Sequence, residues 1–145
     1  MHTTNCVQPP SLIGYNVAGE VGKFIAATHI DKVVKMPEII AQGSLIGAVP
    51  EAVSIEVSNA DLGEGIFRRL REDIMRYAEG GTLPIARTTY SVVDKLYKKD
   101  VSEDVARTMQ NFEPLPDGSV PVLVGENSYK RQTDYLGFRA VRVTT

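Results

Sequence analysis

The chain predicts an α+β fold: a mostly antiparallel sheet, or a small β-sandwich or barrel, with a central helical segment over about 61–112 and an extended N-terminal arm. Three observations carry that expectation. Val53, Ile55 and Val57 alternate with Ser54, Glu56 and Ser58, the period of two that marks a strand with one face in a core and one in water. Ile66, Phe67, Leu70, Ile74, Tyr77 and Ala78 fall on one stripe at spacings of three and four, the pattern of an amphipathic helix. β-like texture stands on both sides of that helical centre, and strands, then helices, then strands is an α+β order rather than a series of βαβ units.

The elements follow in order. Residues 1–16 are polar and carry Pro9-Pro10, and they read as an extended arm ahead of a single domain at 17–145. Val21–Ile30 is rich in small and β-branched residues and reads as a strand, with Gly19 and Gly22 as turn or bulge positions. Pro37 ends the run Val33–Met36 early or confines it to an edge. Leu45–Val49 reads as a short buried strand before the turn at Pro50.

The central helix starts near Asp61 and Glu64, a capping-box pattern, and stops at Gly80-Gly81 and Pro84. Pairs at i,i+4, such as Arg69 with Asp73, lace its outer face. Two shorter helices are expected, one carrying Val92, Val93, Leu96 and Tyr97, the other starting at Ser102 and presenting Val105, Met109 and Phe112. Beyond a turn at 114–118, Val120–Val124 is a strand that tolerates Pro121 only at an edge. Gly125–Asn127 turns, and Leu136–Val143 is the last strand.

Composition narrows the function classes. The 145 residues fit one domain, and 43% hydrophobic with 23% charged residues is ordinary for a globular chain. A net charge of −2 lacks the basic balance of a nucleic-acid binder. Cys6 is the single cysteine, so no internal disulfide forms, and nothing near it lowers its thiol pKa. No signal-peptide pattern opens the chain, and its apolar runs stop short of the ~18 residues of a membrane span. The expected location is the cytoplasm, or a virion assembled in a host cytoplasm, with no membrane partner.

Each candidate constellation has a structural explanation. The segment Gly14–Lys23 lacks the Ser/Thr that follows Gly-Lys in a phosphate-binding loop, and it is read as having no helix behind it. His29 and Asp31 pair on one face of the expected strand, but no nucleophile stands at a recognisable spacing. Asp61, Glu64, Glu72 and Asp73 are explained by capping and surface pairing. No histidine or cysteine set has zinc spacing. No catalytic residue, cofactor or metal site is assigned.

The reading that follows is a structural or assembly protein. It is a homo-oligomeric subunit whose arm and edge strands bind itself or another assembly protein, in the style of a capsid-associated cement, decoration or connector component of a virus or phage. Leu12, Ile13 and Tyr15 would anchor the arm, with Pro9 and Pro10 pre-extending it. Lys130, Arg131, Arg139 and Arg142 are a candidate basic contact. Nucleic acid, using those C-terminal arginines, is a third and weaker reading. The principal alternative is a small-molecule-binding domain or enzyme with a cleft near His29 and Asp31, joined by Lys23 or Arg87.

Overall fold

The computed structural model describes residues 1–4, 8–41, 45–49, 51–122, 128–130 and 132–143. In chain order they form β1 (His2–Thr4), β2 (Ser11–Gly14), α1 (Gly19–Ala27), β3 (Lys32–Lys35), α2 (Glu38–Ala41), α3 (Leu45–Ala48) and β4 (Val53–Ser58). Then come α4 (Glu64–Ala78), β5 (Thr88–Tyr97), α5 (Glu103–Thr108), β6 (Val120–Val122) and β7 (Tyr135–Val143). Cys6, Pro50, Arg131 and the turn expected at 125–127 lie outside the described residues.

The strands make one seven-stranded sheet in the order β1-β4-β2-β3-β5-β7-β6. It is α+β as expected but mixed rather than mostly antiparallel, and it is neither a sandwich nor a barrel. β1 pairs with β4, β2 with β3 and β3 with β5 in parallel; β4 runs against β2, and β7 against both β5 and β6. The parallel pair β2–β3 exists because α1 carries the chain back across the sheet, the crossover that parallel strands need.

Period-two alternation assigns the two faces. Leu12 and Val57 pack with Ile30, Ile66 and Leu70, beneath α1 and α4. Ile13 points the other way, into a cluster with Val34, Met36, Tyr90, Phe112, Val120 and Ala140. A third cluster, Leu96, Ala106, Leu115 and Leu136, lies under α5.

Several sequence expectations change here, each for an identifiable reason. Val21–Ile30 is mostly helix: Val21, Phe24 and Ile25 recur at i, i+3 and i+4, a spacing hidden by β-favouring composition. Gly19 opens that helix at φ 59, and a Cβ on Gly22 would stand 3.0 Å from the Val17 carbonyl oxygen. A helix therefore does open after Gly14–Ala18. Leu45–Ala48 is a short helix rather than a strand.

Residues 92–97 belong to β5, not to a helix. Val92 and Leu96 stand at the i,i+4 spacing that a helix and a strand share, and the register shift between Val92 and Asp94 sends them to separate parts of the core. Pro37 does end β3 early, but β3 is an inner strand. At the start of α4 the cap is Gly63 with no side-chain bond, so Asp61 and Glu64 form no capping box.

Other expectations hold. The strands at 53–58 and 136–143 are β4 and β7, and the central helix is α4. Pro121 sits in the edge strand β6, and its carbonyl accepts the Phe112 N–H at 2.7 Å. Ser102 caps α5, its Oγ accepting from Val105 N at 3.3 Å. Ser102→Ala should cost about 1 kcal/mol in a denaturant melt; an unchanged midpoint would deny the cap any role.

The expected arm does not stand apart from the domain at 17–145. Its described part supplies β1 and β2 to the same sheet. Leu12 and Ile13 are 0% and 4% exposed, inside this chain's own core. Among the described residues, no helix is long and apolar enough to cross a membrane.

Candidate functional site

The alternation that sends Ile55 and Val57 toward α1 and α4 turns Ser54 and Glu56 to the opposite face. Ser54 Oγ donates to Glu56 Oε1 at 3.2 Å, across two residues of one strand. The ladder then decides what stands beside Glu56. His2 pairs with it from β1, Ser11 pairs with it from β2, and Lys32 pairs with Ser11 from β3. A row His2–Glu56–Ser11–Lys32 thus crosses four adjacent strands at intervals of about 5 Å. Further along the strands the same face turns apolar, with Ile13, Val34 and Tyr90.

Ser11 is 0% exposed and its Oγ has no hydrogen-bond partner. Gln8 is 4% exposed; its Oε1 accepts from Asn111 Nδ2, while its own Nε2 has no partner. Asn111 precedes Phe112, whose ring lies 5.0 Å from that of Tyr90. Lys32 Nζ lies 3.3 Å from Asp31 Oδ2. The row joins a carboxylate, a hydroxyl donor and a cation, the ingredients of acid–base chemistry on a small polar ligand.

The expected His29–Asp31 pair does not form. Both residues lie between α1 and β3, and His29 is held by Asp73 of α4 instead. Asp73 is 1% exposed and accepts from Thr28 Oγ1 at 2.8 Å, His29 N at 3.1 Å and Arg76 Nη1 at 2.9 Å, with His29 Nδ1 at 2.5 Å. The Arg69–Asp73 surface pair is thereby replaced by an internal anchor that fastens α4 to the end of α1.

Arg87 is equally structural. Its Nη2 donates to the carbonyls of Ala26, Thr28 and Leu83, and burial pushes its guanidinium pKa down. Lys23 sits in a surface groove of about 620 Å³, bonded to Glu20 at 2.6 Å. Glu20 also accepts from Tyr77 OH, and the Lys23 bond, then the Tyr77 bond, hold its carboxyl below the ordinary value.

The C-terminal basic residues do not gather into one patch. Arg139 and Arg142 are three apart on β7 and so face opposite sides. Arg139 pairs with Asp117 at 3.6 Å, whereas Arg142 lies over the Tyr90 ring at 5.9 Å. Lys130 stands in a separate turn, Ser128–Lys130.

The fold has known counterparts. No protein-family model matches the chain, and no curated protein does. Among solved structures, it is similar to succinylglutamate desuccinylase from Chromobacterium violaceum, with a TM-score of 0.62 and 12% identity over 99% of this chain and 53% of that one. It is also similar to the enzyme of the same name from Vibrio parahaemolyticus, with a TM-score of 0.61 and 12% identity over 99% of this chain and 52% of that one. The chain spans about half the length of these enzymes.

Both neighbours are enzymes, and nothing in them supports a viral, virion or capsid-associated protein. The capsid-associated assembly reading gives way. The physical reason lies in β2: the apolar residues reserved for gripping a neighbour are used in the chain's own sheet.

Proposed function

We propose that this chain carries part of a hydrolase site that removes an acyl group from a small carboxylate-bearing molecule, with Glu56 as general base. The observation that supports it is the place of Glu56. It is the carboxylate at the centre of the polar row, beside His2 and Ser11, in a sheet whose fold is that of two desuccinylases. In this reading the Glu56 carboxylate takes a proton from water as the oxygen attacks the acyl carbonyl. The C–N bond then breaks, and the departing amine takes up the proton. Succinylglutamate is the first substrate to try, because the neighbours are named for it.

The test is release of free amine from N-succinyl-L-glutamate by the purified protein, with and without added divalent cation, and by Glu56→Gln. Turnover that disappears in Glu56→Gln supports the reading. Absence of turnover in a protein that binds the compound, or turnover untouched by Glu56→Gln, overturns it.

A further inference from the structure

We infer that two copies of this chain pair through the outer face of α4, with the two helices antiparallel about a two-fold axis beside Ile74. The inference is independent of the hydrolase reading, because α4 covers the face of the sheet opposite Glu56. α4 carries more apolar surface than the core uses. Ile66 and Leu70 are buried against Leu12 and Val57. Phe67, Ile74 and Met75 are instead 48%, 56% and 54% exposed, although a helix packed on a sheet needs only one apolar stripe. With Arg71 and the exposed Ala78 they fall at i, i+4, i+7, i+8 and i+11, a second stripe along the helix. Such a run is unlike the single apolar residues scattered over any protein surface.

The charges beside this stripe select its occupant. Arg68 and Arg71 stand in the first half of α4, whereas Glu72 and Glu79 stand in its second half and at its C-terminal cap. With Met75 and Arg76 they line one surface groove of about 480 Å³. Among the described residues, none of Arg68, Arg71, Glu72 and Glu79 has an ion-pair partner. Arg76, by contrast, is taken up by Asp73 and the Ala27 carbonyl.

The groove is therefore positive toward one end and negative toward the other. A second copy laid antiparallel brings Arg68 of each chain to Glu79 of the other, and Phe67 over Ala78, with Ile74 and Met75 at the centre. A parallel copy would set Arg68 on Arg68. The antiparallel contact is self-complementary, so it closes as a dimer instead of growing into a filament. The face is one helix long, about 22 Å, which places it at the small end of specific interfaces and the dimer in the micromolar range or weaker.

The experiment is sedimentation equilibrium of the purified protein from about 10 µM to about 1 mM, a span that resolves dissociation constants of this order. A monomer–dimer equilibrium is expected. Ile74→Gln keeps a good helix former at an exposed position and should weaken the dimer at least about tenfold, since each dimer loses the contact twice. Glu79→Arg should weaken it by a similar factor at low salt and by less at high salt, where exposed charges are screened. Adding Arg68→Glu to Glu79→Arg exchanges the two signs and should restore the dimer.

A monomer at every concentration overturns the proposal, and so does a dimer that Ile74→Gln leaves intact. A double variant no better than Glu79→Arg alone also overturns it, because the helices would not then meet in this antiparallel register. Circular dichroism melts of the dilute variants separate lost pairing from lost folding; if Ile74→Gln does not fold, Met75→Gln reads the same stripe. A monomeric protein that binds phosphatidylglycerol vesicles would give the stripe to a membrane and exclude the dimer.

Discussion

Asp73→Ala is expected to destabilise the protein by about 3–5 kcal/mol, the range for removing one partner from a buried charged network. Asp73 is the common acceptor for Thr28, His29 and Arg76. Its loss takes the acceptor from the Thr28 hydroxyl and the His29 backbone N–H, and leaves the Arg76 guanidinium only its bond to the Ala27 carbonyl. The same contact joins α4 to the segment that leads into β3, so the damage reaches the packing of Ile30 against Ile66 and Leu70. For a chain of this length the midpoint of a thermal melt should fall by about 10 °C or more. Asp31→Ala, at a half-exposed residue that pairs at 3.3 Å with its neighbour Lys32, should move it by only a degree or two. If the two variants melt together, the Asp73 network is not the anchor described here.

Glu56→Gln is expected to lower turnover of N-succinyl-L-glutamate by about 10²–10⁴-fold, the usual contribution of a positioned general base. The amide keeps the shape of the carboxylate and its contact with Ser54, but it cannot take a proton from water. The loss should fall on kcat, with KM nearly unchanged, because the group acts in the transition state and not in holding the ligand. Glu51→Gln, on the exposed turn before β4, should leave both constants unchanged. A loss carried by KM alone would make Glu56 a binding group and remove it from the proton transfer.

Local patterns in the sequence were good guides wherever a single element's own periodicity decided the outcome. β4, α4, α5 and β7 were all legible, because their apolar spacing or capping residue acts within one turn or one strand. Where two signals competed, composition misled. The small and branched residues of 21–30 suggested a strand although Val21, Phe24 and Ile25 sit at helical spacing. Val92 and Leu96 stand four apart, a spacing that a helix and a strand share, so it could not choose between them.

The candidate site was less legible than the fold. Glu56 was visible only as the polar half of an alternating strand, and its neighbours lie 54, 45 and 24 residues away in the chain, at His2, Ser11 and Lys32. None of them forms a local motif. His29 and Asp31 drew attention by being close in sequence, yet the fold turns His29 to a helix 44 residues later. Residues 1–16 looked like an arm because prolines and polar residues surround a short apolar run, and four residues of β2 cannot announce that they will be flanked on both sides.

By itself, then, the sequence determined that this is an α+β chain with a helical centre, a proline-marked edge strand and no local catalytic signature. Those properties follow from short-range sterics, capping and apolar period. Only the tertiary structure decided that the sheet is mixed, that β4 inserts between β1 and β2, and that Glu56 therefore stands in register with His2 and Ser11. Strand order depends on how the crossovers bury two faces of one sheet at once, a balance of packing over the whole chain that no window of residues contains.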